Sequence, residues 1–238
     1  MRSTTLHRLA SSLPGLIIVL LACAAADTVT ASSAFDALTS KEASGGLRDA
    51  LSKGIDVAVG QLGANNGFLG DPKVAIPLPS ALEKASRGLA LLGLNKQADD
   101  LKVTMNHAAE SAVAQAKPVF KQALQRMTVT DAKNILTGGD GAGTAYFRKA
   151  TSDQLAAKFK PIVAAQTARL GLAAQYNAYA GKAAQFGLVS AKDANLDDYV
   201  TDKALDGLFS RIADEEHAIR KDPLGQTSSL VRKVFGAL

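Results

Sequence analysis

The stretch that decides the fold is residues 128–149, TVTDAKNILTGGDGAGTAYFRK, in which two helical patterns meet at a glycine-rich turn. Thr130 as an N-cap, with Asp131 in the first turn, predicts the start of a short helix. We expect that helix to end at Gly138–Gly139 and a second helix to begin near Thr144. Because a helix that stops abruptly commonly ends in a left-handed residue, one of these two glycines is expected to adopt a positive φ.

The glycine-rich turn is also the first candidate contact site for a ligand or a partner. It contains neither GxGxxG nor GxxxxGK[ST], so no phosphate-binding loop is predicted. An enzyme that used this turn would need an enclosed pocket in which its polar side chains meet a histidine. The candidate contact residues of this stretch are Gly138, Gly139, Asp140, Tyr146 and Arg148.

Outward from this stretch, apolar residues recur at three- and four-residue steps, which predicts an all-α multi-helix bundle. After a linker over 32–46, a single helical domain is expected over 47–238. Alanine dominates the apolar stripe of the pattern over 95–127, so facing helices can approach closely. Pro118 either kinks that helix or starts a new one. The other predicted helices include 47–62, 80–92 and 173–186. One more helix begins at Tyr146, and the next has its cap at Thr151–Asp153 and ends at Gly171. Asn195 caps a further helix, and a short final helix begins at Ser228.

A proline-rich segment over 65–79 interrupts the helical patterns and is predicted to form a short extended strap. Asn66-Gly67 and Asp71-Pro72 are turn signals, and the prolines at 77 and 79 exclude a central strand. Two roles remain open for the strap, which either packs on the helices as a structural element or forms the wall or lid of an apolar groove. Its candidate contact residues are Phe68, Ile76 and Leu78.

The composition argues against nucleic-acid and metal sites. The chain carries 27 Lys and Arg against 22 Asp and Glu, but no run of five basic residues, and it has no tryptophan. His107 has only Glu110 at ligand spacing on its helix, and the Asp214–His217 cluster lacks the second histidine of HExxH. We therefore predict no nucleic-acid partner, no metal, no cofactor and no catalytic residues.

The N-terminus is typical of an export signal over 1–31. Arg2 and Arg8 precede an apolar run over 13–26 that is too short to span a bilayer comfortably. Two processing schemes remain open: Cys23 receives a lipid after a lipobox-like LLAC, or it is discarded with the signal after cleavage at an ordinary small-residue site. Either scheme predicts a mature protein in the periplasm or anchored to the membrane by its N-terminus. Cys23 is the only cysteine, so no intramolecular disulfide can form.

Six short motifs follow one another along the chain. They are Gly67-Phe68-Leu69, Ile76-Pro77-Leu78-Pro79, the segment from Ala132 that ends in ILTGGD, Tyr146-Phe147-Arg148, Thr151-Ser152-Asp153-Gln154-Leu155 and Asn195-Leu196-Asp197-Asp198-Tyr199-Val200. In this order they are similar to the motifs of a bacterial family, domain of unknown function 4197, which the chain resembles from about Leu47 to the C-terminus. The resemblance implies an exported, mainly helical protein, and it carries no catalytic residues.

Three functions from different classes remain open at this point. The first is a binding or scaffolding protein of the cell envelope, with an envelope protein as its partner. The second is a carrier that holds an apolar small molecule or a lipid in a groove between helices, closed by the strap. The third, least supported by the sequence, is an enzyme that uses the loop Gly138–Gly143.

Overall fold

The computed structural model describes residues 40–84, 95–187, 189–190, 193–225 and 228–236, and these residues form an all-α fold without strands, as predicted. The predicted signal peptide, Cys23, and the linker over 32–39 lie outside the described residues, as do residues 85–92 of the predicted helix 80–92. Residues 80–84 are helical. The longer helices are α1 (Ser40–Leu62), α2 (Asn95–Val113), α3 (Lys117–Arg126), α4 (Val129–Thr137), α5 (Ala142–Thr167), α6 (Gly171–Gln185), α7 (Leu196–Lys221) and α8 (Ser229–Phe235).

Helix α7 lies at the centre of the bundle, where it packs against α5, α1 and α2, while α5 also packs against α2. Three phenylalanines from different helices meet in the core. The ring of Phe120 contacts Phe147 at 5.4 Å and Phe209 at 6.2 Å between centroids, both in edge-to-face geometry. Such pairs add to the stabilisation that burial of the rings provides. All three rings are buried, which fixes α3, α5 and α7 around one point.

Helix α1 begins seven residues earlier than predicted, so that residues 40–46 of the predicted linker are helical. The adjacent glycines at 45 and 46 weaken the local helix signal. Tertiary packing overrides it, because α8 lies directly on this turn: a Cβ on Gly46 would sit 2.6 Å from Cγ2 of Val234 and 2.9 Å from the carbonyl oxygen of Leu230. The glycines are therefore part of a close helix–helix contact.

The starts of α4 and α5 also differ from the prediction. Thr128, not Thr130, is the N-cap of α4: its hydroxyl accepts the N–H of Asp131, whose carboxylate accepts the N–H of Thr128. This capping box lowers the pKa of the Asp131 carboxyl, chiefly through the backbone hydrogen bond. Helix α5 begins at Ala142, two residues before the predicted Thr144.

Helix α5 is one continuous helix, so the predicted cap over Thr151–Asp153 is wrong. Thr151 is buried and donates its hydroxyl to the carbonyl oxygen of Phe147, one turn back. A threonine can make this i−4 bond inside a helix as readily as it can cap one, and sequence alone does not separate the two. Pro161 lies inside α5, and Gly171 starts α6 instead of ending the preceding helix.

The long pattern over 95–127 is divided into α2 and α3, and Pro118 stands in the first turn of α3. Of the two predicted outcomes, a kink or a new helix, the structure has the new helix. Proline fits its first turn because the missing backbone N–H would have no acceptor inside the helix. The predicted cap at Asn195 is confirmed, since its side chain accepts the N–H groups of Asp197 and Asp198 in α7. The predicted start of the final helix at Ser228 is also confirmed, and the Ser228 side chain caps α8 by accepting the N–H of Val231.

The strap is only partly extended. Residues 65–70 and 72–74 form turns, and 75–79 have no regular structure. Two groups hold the last part. Asn106 accepts the N–H of Ile76 at 2.8 Å and donates to its carbonyl oxygen at 3.0 Å, and Tyr199 donates to the carbonyl oxygen of Pro77 at 3.1 Å. Burial raises the pKa of Tyr199 to about 12, so its hydroxyl remains a donor.

Replacing the buried Asn106 by alanine (Asn106→Ala) should lower the free energy of unfolding by about 2 kcal/mol, because the N–H and C=O of Ile76 lose their partner inside the protein. The measurement is urea unfolding followed by circular dichroism. Asn134 is exposed on α4. Asn134→Ala is therefore the matched control, and it should change stability by less than about 0.5 kcal/mol. Equal effects of the two substitutions would contradict the anchoring role of Asn106.

Candidate functional site

The glycine-rich turn is held by a carboxylate from another helix. The N-cap of α5 is Gly141, at φ 81°, which has no side chain to accept the first N–H groups of the helix. Glu216 of α7 supplies the missing acceptor: one carboxylate oxygen accepts the N–H of Gly143 at 2.9 Å, and the other accepts the N–H and the hydroxyl of Thr144 at 2.8 Å each. Glu216 therefore caps α5 from outside and complements its dipole.

Gly143 and Arg220 complete this arrangement. A Cβ on Gly143 of α5 would lie 2.9 Å from Cδ2 of Leu51 on α1 and 3.3 Å from the carboxyl group of Glu216 on α7. A larger residue at this position would therefore force these neighbours to shift away from α5. Arg220 donates to Glu216 at 3.1 Å and to the carbonyl oxygen of Ile135 at 2.7 Å, and its guanidinium lies over the ring of Phe235 at 5.6 Å. This buried ion pair joins α4, α5, α7 and α8, and we call it the Glu216 hub.

The predicted contact residues of the turn do not converge on one pocket. The carboxylate of Asp140 accepts a hydrogen bond from Nδ1 of His217 at 2.9 Å, and about 60% of each side chain is exposed. Gly139 adopts φ 76°, which confirms the expected positive φ, while Gly138 is in the right-handed region. Asp140 and His217 thus lie on the surface of the hub.

Tyr146 and Arg148 make separate contacts further along α5. The Tyr146 hydroxyl donates to the carbonyl oxygen of Ala123 at 3.3 Å, and burial raises the pKa of this hydroxyl. The Arg148 guanidinium lies 4.6 Å from the centroid of Phe209 and pairs with Asp206 at 3.1 Å. The two side chains therefore stabilise contacts of α5 with α3 and with α7.

The strap residues serve mainly as core. Phe68 and Ile76 are almost fully buried and Leu78 is half-buried. Phe68 packs against the backbone of Gly207, where a Cβ would lie 2.7 Å from its ring. A depression of about 280 Å³ lies beside the strap, with Ile76 on its floor and Lys203 among its polar lining residues.

A second buried carboxylate, Glu110 of α2, holds the turn at the start of the strap. Its oxygens accept the N–H groups of Asn66, Phe68 and Leu69 at 3.1–3.3 Å, and Nδ1 of His107 lies 2.7 Å away. His107 and Glu110 are thus paired with each other and with the backbone. Within the described ranges, no group of three potential ligands that could hold a metal ion is present.

Two depressions larger than the one beside the strap lie around α3. One of about 560 Å³ runs between α1 and α3, and one of about 390 Å³ runs between α3 and α5. A small recess of about 60 Å³ shares Val119, Gln122 and Gln154 with the second depression and extends it to Arg126 and Tyr146. We call the second depression and its recess the α3–α5 groove. Of the sequence-predicted contact residues, only Tyr146 lines it.

Sequence reasoning missed the structural importance of Asn106, Glu110 and Glu216. The signal for Glu216 was present: it stands four residues after Ile212 and three before Ile219, on the apolar stripe of α7. A carboxylate in such a position must find hydrogen-bond donors inside the fold. Nothing in the sequence indicates that the donors are the N–H groups of Gly143 and Thr144.

Gly139→Ala should lower the free energy of unfolding by about 1 kcal/mol. Its added Cβ would meet no atom within 4 Å, so the cost comes from the positive φ alone. Gly60 lies within α1, and its added Cβ would also meet nothing. Gly60→Ala should therefore stabilise the protein by up to about 1 kcal/mol. Thermal unfolding of both variants measures the difference, and a shift of the same sign in both would contradict this explanation.

Glu216→Ala should cost about 3–5 kcal/mol, because it leaves the buried guanidinium of Arg220 unpaired and two N–H groups without acceptors. His217→Ala is the neighbouring control, and because the His217–Asp140 pair is exposed its loss should cost less than about 1 kcal/mol. Urea unfolding of both variants is the measurement. Similar losses in the two variants would rule out the hub as the main stabilising contact of this turn.

No helix in the described residues has the length and apolar character needed to cross a membrane. Neither the curated proteins nor the solved structures give a significant match. The family model described as "Protein of unknown function (DUF4197)" matches residues 37–236, which is most of the chain and includes every helix above. The chain therefore belongs to the DUF4197 family.

Proposed function

We propose that this protein is an exported component of the cell envelope that binds a partner without transforming it, and that the partner contacts the exposed side of α3. The observation that carries the proposal is the contrast between the ionisable groups inside the fold and those around α3. Inside, the carboxylates of Glu110 and Glu216 are engaged by backbone N–H groups of this chain. Around α3, basic and amide side chains line open depressions.

The engaged carboxylates favour binding over catalysis. A general acid or base must reach the substrate and exchange a proton with it. Both oxygens of Glu216 already accept hydrogen bonds, and Arg220 and the backbone enclose them. The exposed pair Asp140–His217 lies on the surface, without the enclosed pocket that the enzyme alternative requires.

The burial of the strap favours a protein or peptide partner over an apolar small molecule. Phe68 and Ile76 occupy the interior that a carrier would keep open for its cargo. The depression beside the strap combines apolar strap residues with the charged side chains of Lys73, Lys203 and Asp206, and the cost of desolvating these charges disfavours an apolar cargo. Export rests on the N-terminal signal pattern, and it places the partner in the envelope.

A photo-crosslinking residue tests the proposal in intact cells. Gln125 is exposed in the α3–α5 groove, and Asp99 is exposed on α2, about 21 Å along that helix from its last residue. We expect a crosslinker in place of Gln125 to yield a discrete adduct in the envelope fraction, and one in place of Asp99 to yield none. Absence of adducts at both positions, or equal yields at both, would overturn the proposal.

A further inference from the structure

The exposed side of α3 carries a uniform charge. This helix has three basic residues and no acidic residue in its sequence KPVFKQALQR. The buried side consists of Val119, Phe120, Ala123 and Leu124. The exposed side consists of Lys117, Pro118, Lys121, Gln122, Gln125 and Arg126. A partner that covers this side must accept many hydrogen bonds and balance positive charge.

The α3–α5 groove continues this character across to α5. Gln154 and Lys158 form its opposite wall, and none of its lining residues is acidic. Lys121 and Lys158 lie at one end of the groove, and Arg126 lies at the other, beside Tyr146. Three glutamines occupy the length between them. The groove therefore has cationic ends and an amide-lined middle.

Two acidic residues on the elements next to α3 have partners within the protein, and Asp153, which neighbours Gln154 on α5, is exposed and does not line the groove. Asp56 of α1 pairs with Lys117 at 2.9 Å, on the side of α3 that faces the other depression. Asp131 of α4 lies near Tyr146 and accepts both the N–H and the hydroxyl of Thr128. Lys121, Arg126 and Lys158 have no ion pair within the described part of the chain. Their charges are thus available to an anionic ligand.

The length and chemistry of the groove match an extended peptide. Along α5, the wall from Tyr146 to Lys158 spans about 18 Å, and an extended chain covers that distance with about five residues. A glutamine amide offers a donor and an acceptor, as does each peptide group of an extended chain. The aromatic side chain in the lining is Tyr146, which is partly buried and packs edge-to-face against Phe147, so it offers little open face for a nucleic-acid base to stack on. A concave groove also fits a single chain better than a flat membrane surface.

We propose that the α3–α5 groove binds an extended acidic segment of a partner protein. Carboxylates of that segment pair with Lys121 and Lys158 at one end and with Arg126 at the other. The backbone of the segment hydrogen-bonds to the side chains between these ends, which are Gln122, Gln125 and Gln154. This inference rests on the proposed binding function and names the chemical class of its partner. Because the contacts are exposed ion pairs and amide hydrogen bonds, the affinity should be modest and should fall as the salt concentration rises.

The test uses fluorescence anisotropy of the full exported chain with a labelled hexapeptide of alternating glutamate and alanine. A hexapeptide of alternating lysine and alanine is the charge control. We expect binding of the acidic peptide only, and a loss of at least about tenfold in affinity when Lys121→Glu and Lys158→Glu are combined. The matched variant combines Lys102→Glu and Lys221→Glu, which makes the same change in net charge at exposed lysines of α2 and α7. It should retain at least half of the wild-type affinity.

Three outcomes would overturn the inference. The first is equal loss in both double variants, which would indicate a general charge effect. The second is no peptide binding together with groove-dependent binding to vesicles of anionic lipid or to a labelled oligouridylate, which would assign the groove to another ligand. The third is binding of the acidic peptide that both double variants leave unchanged. Crosslinking at Gln125 distinguishes failure of the proposed ligand class from failure of the proposed function. An adduct that the acidic peptide does not displace would reject the ligand class and leave the proposed function standing.

Discussion

The structure depends most on the buried carboxylate of Glu216 at the first turn of α5. A helix N-terminus has N–H groups without partners inside the helix, and Gly141 offers no side chain to accept them. Glu216 accepts two of these N–H groups from across the core, and Arg220 balances its charge. Glycine at 143 favours the contact, since a Cβ there would lie 3.3 Å from the carboxyl group, closer than an ordinary van der Waals contact. The glycine-rich turn is therefore shaped by the fit of α7 against α5.

The same solution recurs at the strap. Glu110 accepts three N–H groups of the turn at its start, and one helical turn earlier Asn106 binds both polar groups of Ile76. The glycine-rich turn and the strap are thus both fixed by polar side chains on buried helix faces. Since buried polar groups are stable only when their partners are in place, these contacts select one arrangement of the helices. Burial of the apolar, alanine-rich helix faces stabilises the fold, and the buried carboxylates fix how the helices are positioned relative to one another.

Local signals explain what could be predicted from the sequence. Asn195 and Ser228 cap their own helices, and the positive φ of Gly139 follows from the end of α4. The errors have two sources, a distant contact and an ambiguous local signal. The start of α1 at Ser40 depends on α8, a partner that the local pattern does not contain. Thr151 could cap a helix or donate back to the carbonyl oxygen of Phe147 one turn earlier, and the pattern does not separate the two.

The candidate contact residues show the same limit. Phe68 and Ile76 were predicted from an apolar, proline-rich pattern that fits either a core strap or the lid of a groove, and their burial makes them core. Tyr146 lines the α3–α5 groove, but the glutamines and lysines around it come from two helices whose antiparallel packing only the structure reveals. The surface proposed for binding therefore consists of exposed residues that only the packing of α3 against α5 brings together.

Amide hydrogen exchange tests the central claim most directly. In a helix without an external cap, first-turn N–H groups exchange rapidly because they lack an acceptor. Leu172 of α6 stands in such a turn, where no side chain caps the helix. The account predicts that Gly143 and Thr144 exchange as slowly as core amides of α5, while Leu172 exchanges fast. Rapid exchange of Gly143 and Thr144, at the rate of Leu172, would contradict the claim that Glu216 holds this turn.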